Sequence, residues 1–397
     1  MNTQLFKKFQ NFRSQLNSRF LERETVIDGL LASLITKQNA FLFGVPGTGK
    51  SELVRAISSG FKGTEYFGYL LSPTTDPSEL FGPVAVSKLL KDEYTRDTEG
   101  YLPSANIAFL DELFRGSSAV LNSLLTILNE RTFNNGKEVV KTPINSIVAA
   151  TNSFPTEESL QAFLDRFLFR PTVDLLQKPV SKRKLDMWSL GIEPRPEIFS
   201  ALTQEDLVEL QEQAACIKPT SKFAGLFGDV MERLEVSGIY ISDRRRVQII
   251  QFLRGYAVVK GESELHPHIL LETLPHILYQ SDDDKEIIGE QLDAAIVTGS
   301  RFVKENQHAA NSIMHEFYSW DAKARTISDT KMHMDVARNM SKCLSDLTTI
   351  QKRLTEAMDD DELKITEEVR LKMMKQHTQN DSDMKTIAKS LTRFTTN

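Results

Sequence analysis

The sequence predicts an α/β core with a mostly parallel sheet between helices, followed by an all-helical region and a C-terminal helical region. Three observations lead there. Up to about residue 190, short apolar runs at 39–43, 65–71, 107–110 and 146–150 alternate with stretches of helical apolar spacing. Strands interleaved with helices read as a parallel sheet covered on both faces. After the linker Gly191-Ile192-Glu193-Pro194-Arg195-Pro196 strand signals fade, and a helical period persists to about residue 300. Residues 301–397 are polar and helical. Met340, Leu344, Leu347, Leu354 and Met358 share one stripe, and Ile365, Val369 and Met373 another, with Asp359-Asp360-Asp361 between them as a turn and helix start.

The first chemical motif follows the first strand. Gly44-Val45-Pro46-Gly47-Thr48-Gly49-Lys50-Ser51 fits G-x-x-x-x-G-K-[ST], and the helical stretch that it opens carries Leu53. Glycines let backbone N–H groups turn toward phosphate oxygens, and the helix N-terminus adds partial positive charge. Lys50 is expected on the β- and γ-phosphates and Ser51 on Mg²⁺. The run Ile107-Ala108-Phe109-Leu110 ends in Asp111-Glu112. Two carboxylates at the end of a buried strand make poor packing, because unpaired buried charge is costly. Asp111 is expected to hold the metal and Glu112 to orient and polarise the attacking water.

A third apolar strand ends in Thr151-Asn152, so Asn152 can face the γ-phosphate or the lytic water, or simply cap a turn. Beyond it, Leu164-Asp165-Arg166-Phe167 offers Arg166, with Arg170 as a second candidate, to a phosphate on a neighbouring subunit. Either arginine could equally serve an ordinary ion pair. Ile241-Ser242-Asp243-Arg244-Arg245-Arg246 places three cations at a helix start, where they oppose the macrodipole unless an anion or acidic neighbour meets them.

Composition narrows the class. Of 397 residues, 40% are hydrophobic and 26% charged, as in soluble globular chains. No apolar run of membrane-spanning length is present, and the N-terminus lacks the apolar segment of a signal peptide. Two cysteines, Cys216 and Cys343, form no disulfide framework or metal site and fit a reducing compartment, so the cytoplasm is expected. A net charge of −6 argues against a dedicated nucleic-acid binder. Lys182-Arg183-Lys184 is too short to change that reading. His266-Pro267-His268 lacks a third ligand and reads as a surface turn. Trp188 and Trp320 read as packing residues rather than base-stacking platforms.

Taken together, these motifs resemble the MoxR branch of AAA+ ATPases, and within it the RavA (regulatory ATPase variant A) group. The connecting stretches 75–83, 100–103 and 121–133 strengthen the likeness, which covers about residues 1–290. The resemblance implies an ATP- and Mg²⁺-dependent ATPase that assembles as a homohexamer and remodels a partner, with a von Willebrand factor A (VWA)-domain protein beside it. It makes Asn152 sensor 1, Arg166 the arginine finger and Arg244 sensor 2, with Arg245 as the less certain neighbour, and it lays Val26 against the adenine. It divides the chain into an N-terminal helical segment (1–21), an AAA+ core (22–190), a helical lid (191–300) and a C-terminal helical region (301–397). Within the core it marks a helix-2 insert at 81–103 and a hairpin before sensor 1 at 131–143, whose Asn135-Gly136 suits a type I′ turn. Residues 301–397 depart from the RavA pattern, which carries a β-rich insertion there. A nucleotide-gated scaffold or switch in a stress or defence system, and less so a nucleic-acid motor, are the competing functions.

Overall fold

The computed structural model of the chain describes residues 3–152, 160, 163–199, 202–278, 282–295, 300–324, 330–359 and 367–395. Its contacts divide into two units: residues 1–220, 235–265 and 269–288 form the first, and 221–234, 266–268 and 289–397 the second.

The first unit begins with helix α1 (Thr3–Arg19), which buries Leu5, Phe9, Phe12 and Leu16 along one face at helical spacing. Helix α2 (Glu24–Ile35) is buried throughout residues 26–35. Strand β1 (Ala40–Phe43) leads to α3 (Lys50–Ser59), and then come β2 (Tyr66–Leu70), β3 (Ile107–Asp111), α4 (Ser118–Glu130), the hairpin β4 (Thr132–Asn135) and β5 (Glu138–Lys141), and β6 (Ser146–Thr151). The sheet runs β1-β6-β3-β2 with every neighbour parallel. The expected α/β architecture is therefore the one observed. Strands β1 and β6 are buried at every position, as strands covered on both faces must be. Registers pair Phe43 with Thr151 and Leu70 with Asp111, so the loops after β1, β3 and β6 open at one edge of the sheet. Parallel bridges from Ala40 to Phe169 and from Phe43 to Thr172 continue the sheet beyond β1.

Two insertions stand on this sheet. Residues 83–85 and 95–97 run antiparallel, with Ala85 N–H donating to the Thr95 carbonyl and Asp97 N–H to that of Pro83. The protrusion so formed exposes Leu90 and Tyr94. Asn135 binds it to the hairpin: Arg96 N–H donates to Asn135 Oδ1 (2.6 Å), and Asn135 Nδ2 donates to the Arg96 carbonyl (3.1 Å). The hairpin turn departs from the type I′ expectation. Asn135 pairs with Glu138, so Gly136 and Lys137 form the loop, and Gly136 alone of the two has positive φ (69°). Type I′ needs positive φ at both positions, whereas type II′ needs it only at the first.

Helices α5 (Pro179–Ser189), α6 (Gln204–Cys216) and α7 (Asp243–Lys260) follow in the same unit, α7 packing on both α2 and α6. A charge cluster around buried Asp28 ties α7 to α1 and α2. Asp28 accepts from Arg13 Nε (2.5 Å) and Nη2 (2.6 Å) and lies 3.4 Å from Lys260 Nζ, which also pairs with Glu272 at 2.8 Å. Removing the carboxylate leaves the Arg13 guanidinium without its acidic partner and Lys260 with Glu272 alone. Asp28→Asn is expected to cost about 3–5 kcal/mol, measured as a lower denaturation midpoint at unchanged slope.

In the second unit α8 (Ser300–Ala324), α9 (Thr330–Asp359) and α10 (Glu367–Thr395) pack pairwise. Their core contains Met314, Phe317, Met340, Leu347 and Ile387. Of the expected stripes, Leu354 and Met373 are also buried and Leu344 packs at the edge of the core. The side chains of Met358, Ile365 and Val369, and residues Asp360 and Asp361, lie outside the described residues.

Candidate nucleotide site

The loop between β1 and α3 owes its shape to three glycines. Gly44 donates its N–H to the Thr151 carbonyl (3.1 Å), and a Cβ on it would stand 2.2 Å from the Val173 carbonyl oxygen. A side chain there would break the contact between the loop and the strand beside it. Gly49 caps α3 in the left-handed region (φ 80°) with nothing within 4 Å of a Cβ, leaving bare backbone at the helix N-terminus. Lys50 is buried, and its Nζ donates to the carbonyls of Gly44 (2.7 Å) and Val45 (3.0 Å). Burial pushes its pKa down, while the charges of Asp111 and Glu112 pull it up. The ammonium thus lies over the loop and within the field of both acids. This chemistry suits a magnesium-bound triphosphate: inward amides, one cation, and hard oxygen donors from Ser51 and Asp111.

Asp111 ends β3, and its Oδ1 accepts from the Glu112 N–H (3.1 Å). Glu112 sits at φ 51°, ψ 45°, a left-handed conformation unusual for a non-glycine residue and commonest where function demands it. Its Oε2 lies 3.7 Å from Arg115 Nε. Asn152 follows β6 on the same edge and is exposed. Parallel registers therefore bring Lys50, Asp111, Glu112 and Asn152 to one edge from three loops.

A cavity of about 600 Å³ opens beside the loop, lined by Gly47, Thr48, Gly49, Lys50 and Leu53 on one side. Its remaining wall mixes apolar side chains, among them Phe20, Leu21, Val173, Leu175, Leu176 and Trp188, with six charged ones, Arg19, Arg23, Glu52, Lys182, Asp186 and Arg195. The volume is that of a nucleotide-sized pocket. Val45 and Pro46 are exposed at the loop tip. Val26, expected against the adenine, is buried within α2, and Phe20, Leu21 and Arg23 from the α1–α2 corner line the cavity instead. Trp188, read from the sequence as packing, also lines it. With Trp320→Phe, Trp188 becomes the only tryptophan of the two in the chain. Its emission is expected to shift when ADP is added, and Trp188→Ala to weaken binding about tenfold. Unchanged emission under calorimetrically verified saturation would remove Trp188 from the pocket.

The other arginines lie elsewhere. Asn39, at the start of β1, donates from Nδ2 to the Arg166 carbonyl (3.2 Å), and a second cavity of about 350 Å³ is lined by Lys37, Asn39, Arg131, Asp165, Arg166 and Arg244. Five residue steps, from Asn39 just before β1 to Gly44 just after it, span about 16 Å at ~3.3 Å per residue. The loop and the arginines therefore occupy opposite edges of the sheet. Two of the candidates are enclosed by internal bonds. Arg170 is fully buried; its Nε donates to the Phe167 carbonyl (2.8 Å) and its Nη2 lies 3.5 Å from Asp165. Arg245 is buried against the Asp165 carboxylate (2.8 Å) and the Ile277 carbonyl (2.7 Å); burial lowers its pKa and Asp165 opposes that. Arg246 pairs with Glu235 (2.6 Å). Acidic neighbours thus answer two of the three cations at the start of α7; Arg244 and Arg245 both line the cavity, and of these Arg245 is already bound to Asp165.

A parallel sheet carrying a glycine loop, a buried lysine and two acids at its C-terminal edge defines a P-loop nucleotide-binding protein. Residues 7–212 match a family described as the MoxR domain in MoxR-vWA-beta-propeller ternary systems, and residues 225–292 match an AAA lid domain. The chain is 37% identical to an uncharacterised protein of Methanocaldococcus jannaschii over 72% of its own length and 74% of the relative's. It is 26% identical to the chaperone MoxR1 of Mycobacterium tuberculosis, over 64% and 70% respectively. A crystal structure described as a candidate ATPase from Cytophaga hutchinsonii superposes with a TM-score of 0.60 at 17% identity, covering 73% of this chain and 94% of the other. The chain belongs to the MoxR family of AAA+ ATPases.

Proposed function

We propose that this protein hydrolyses ATP as a homohexameric ring in the cytoplasm and uses the cycle, chaperone-like, to remodel or activate a protein substrate. The observation that carries this reading is the meeting of Lys50, Asp111, Glu112 and Asn152 at one sheet edge. In it, the residues of the loop, from Gly44 to Ser51, and Leu53 hold the nucleotide, and Ser51 and Asp111 hold Mg²⁺. Bound Mg²⁺ neutralises charge developing on the phosphates. Glu112 accepts a proton from the attacking water, and Asn152 orients that water.

The separation of the two edges supports a trans arrangement, because an arginine side chain does not span about 16 Å. Arg166 and Arg244 then act as finger and sensor 2 on a neighbouring copy's nucleotide. Arg170 and Arg245 serve as internal supports for Asp165 and its turn. The matched family description supports a VWA-domain partner. The RavA likeness is proposed for the ATPase module alone, since the described part of 301–397 is helical. Among the described residues no helix is long and apolar enough to cross a membrane, which agrees with the proposed compartment.

ATP turnover measured against protein concentration tests the reading. Activity per subunit is expected to rise steeply as rings assemble. A flat profile from dilute to concentrated protein would reject the trans arrangement.

A further inference from the structure

We infer that Arg131 is a further positioning residue of the arginine cavity: it places a half-buried charge behind Arg166 and joins that site to the hairpin. The inference rests on the trans reading above and adds to it a residue that no motif identifies.

Arg131 caps the C-terminus of α4 at φ 56°, ψ 36°, a conformation few non-glycine residues adopt. Its Nη2 donates to the Lys37 carbonyl (2.9 Å) and to Asn39 Oδ1 (2.8 Å). Its Nη1 is buried without a hydrogen-bond partner. Burial alone lowers its pKa, to about 10, and no acid opposes that, so the group stays charged at neutral pH. A half-buried cation with no acid paired to it costs some stability, and an apolar chain of similar length would avoid that cost. The positive charge instead faces a cavity lined by Lys37, Arg166, Arg244 and Arg245, where the single carboxylate, Asp165, is already held by Arg245. Such a pocket favours an incoming polyanion.

The bonds of Arg131 run two ways. Toward the cavity, Asn39 accepts a hydrogen bond from Arg131 through Oδ1 and donates to the Arg166 carbonyl through Nδ2 (3.2 Å). Arg131 therefore braces the turn that carries Arg166. Away from the cavity, the Arg131 carbonyl accepts from Thr142 N–H (2.8 Å) and Oγ1 (3.1 Å) at the end of the hairpin. The hairpin in turn holds the protrusion through Asn135 and Arg96. One residue thus connects the face expected to meet a neighbour's triphosphate with the two insertions that stand out from the sheet.

The test uses the full chain with Arg131→Met and Arg131→Lys. Arg131→Met is expected to fold with an unchanged or raised Tm and to bind a fluorescent ATP analogue at its own loop as the wild type does. It should lose at least ~10-fold of the turnover gained on assembly, and Arg131→Lys should keep most of it. Mixing Arg131→Met with Glu112→Gln subunits should restore turnover, since each supplies what the other lacks. A folded Arg131→Met protein with wild-type stimulation, or a loss that mixing leaves unrepaired, overturns the inference. If the Met variant does not fold, the same two readings of Arg131→Lys decide: wild-type stimulation, or a loss repaired on mixing, supports it, and an unrepaired loss overturns it. A flat concentration profile in the wild type would sink the trans arrangement itself, which separates the two failures.

Discussion

A Glu112→Gln variant is expected to bind ATP with wild-type affinity and to hydrolyse it about 10³-fold more slowly. The amide keeps the size and hydrogen-bonding reach of the carboxylate but cannot accept a proton from water. Binding depends on the loop amides, Lys50 and Ser51, which the substitution leaves in place. The residue is also held in a left-handed conformation at the end of β3, so Gln at the same position keeps the geometry while losing the basicity. Equilibrium titration with a fluorescent ATP analogue and single-turnover phosphate release separate the two effects. Normal turnover would show that another group activates the water.

Arg166→Ala should cost about 10³-fold or more in turnover at concentrations where the protein is assembled. In dilute protein it should change nucleotide binding little. Both follow from the position of Arg166 beside Asn39, a sheet's width from the loop. A loss of ATP affinity equal in monomer and ring would instead place the arginine on its own subunit's nucleotide. Arg170→Ala is expected to behave differently. Arg170 has no exposed surface and lies against Asp165 and the Phe167 carbonyl, so its loss should appear in the melting curve before it appears in kinetics.

The parts of the site that sequence made legible share one property: their residues adjoin strand ends. An apolar run that stops at Asp111-Glu112 or at Thr151-Asn152 announces both the strand and the edge where it terminates, and parallel pairing does the rest. The cavity beside the loop carries no such mark. It draws Phe20 and Leu21 from the first helical corner, Leu175 and Leu176 from a loop, and Trp188 from α5, segments whose meeting depends on tertiary packing alone. The arginines were legible as cations but not as partners. Whether Arg244, Arg245 or Arg246 stays available is decided by where Asp165 and Glu235 come to lie. The hairpin was visible in Asn135-Gly136, yet its register shifted by one residue, because Asn135 is held by Arg96 rather than left to the turn.

Glu52 has a consequence of its own. It rides on α3 two residues after Lys50, and its carboxylate is gripped by Arg19 at the end of α1 (3.0 Å) and by Arg195 in the linker after α5 (2.9 Å). Arg19 also donates to the Pro196 carbonyl (2.9 Å), and Arg195 stacks over Phe20. Three distant stretches of chain are thus buttoned together at the rim of the cavity beside the loop. Exposed ion pairs of this kind contribute only about 0–1 kcal/mol each, so the fastening can undo and refasten thermally. A fastening of that strength holds the rim without locking it.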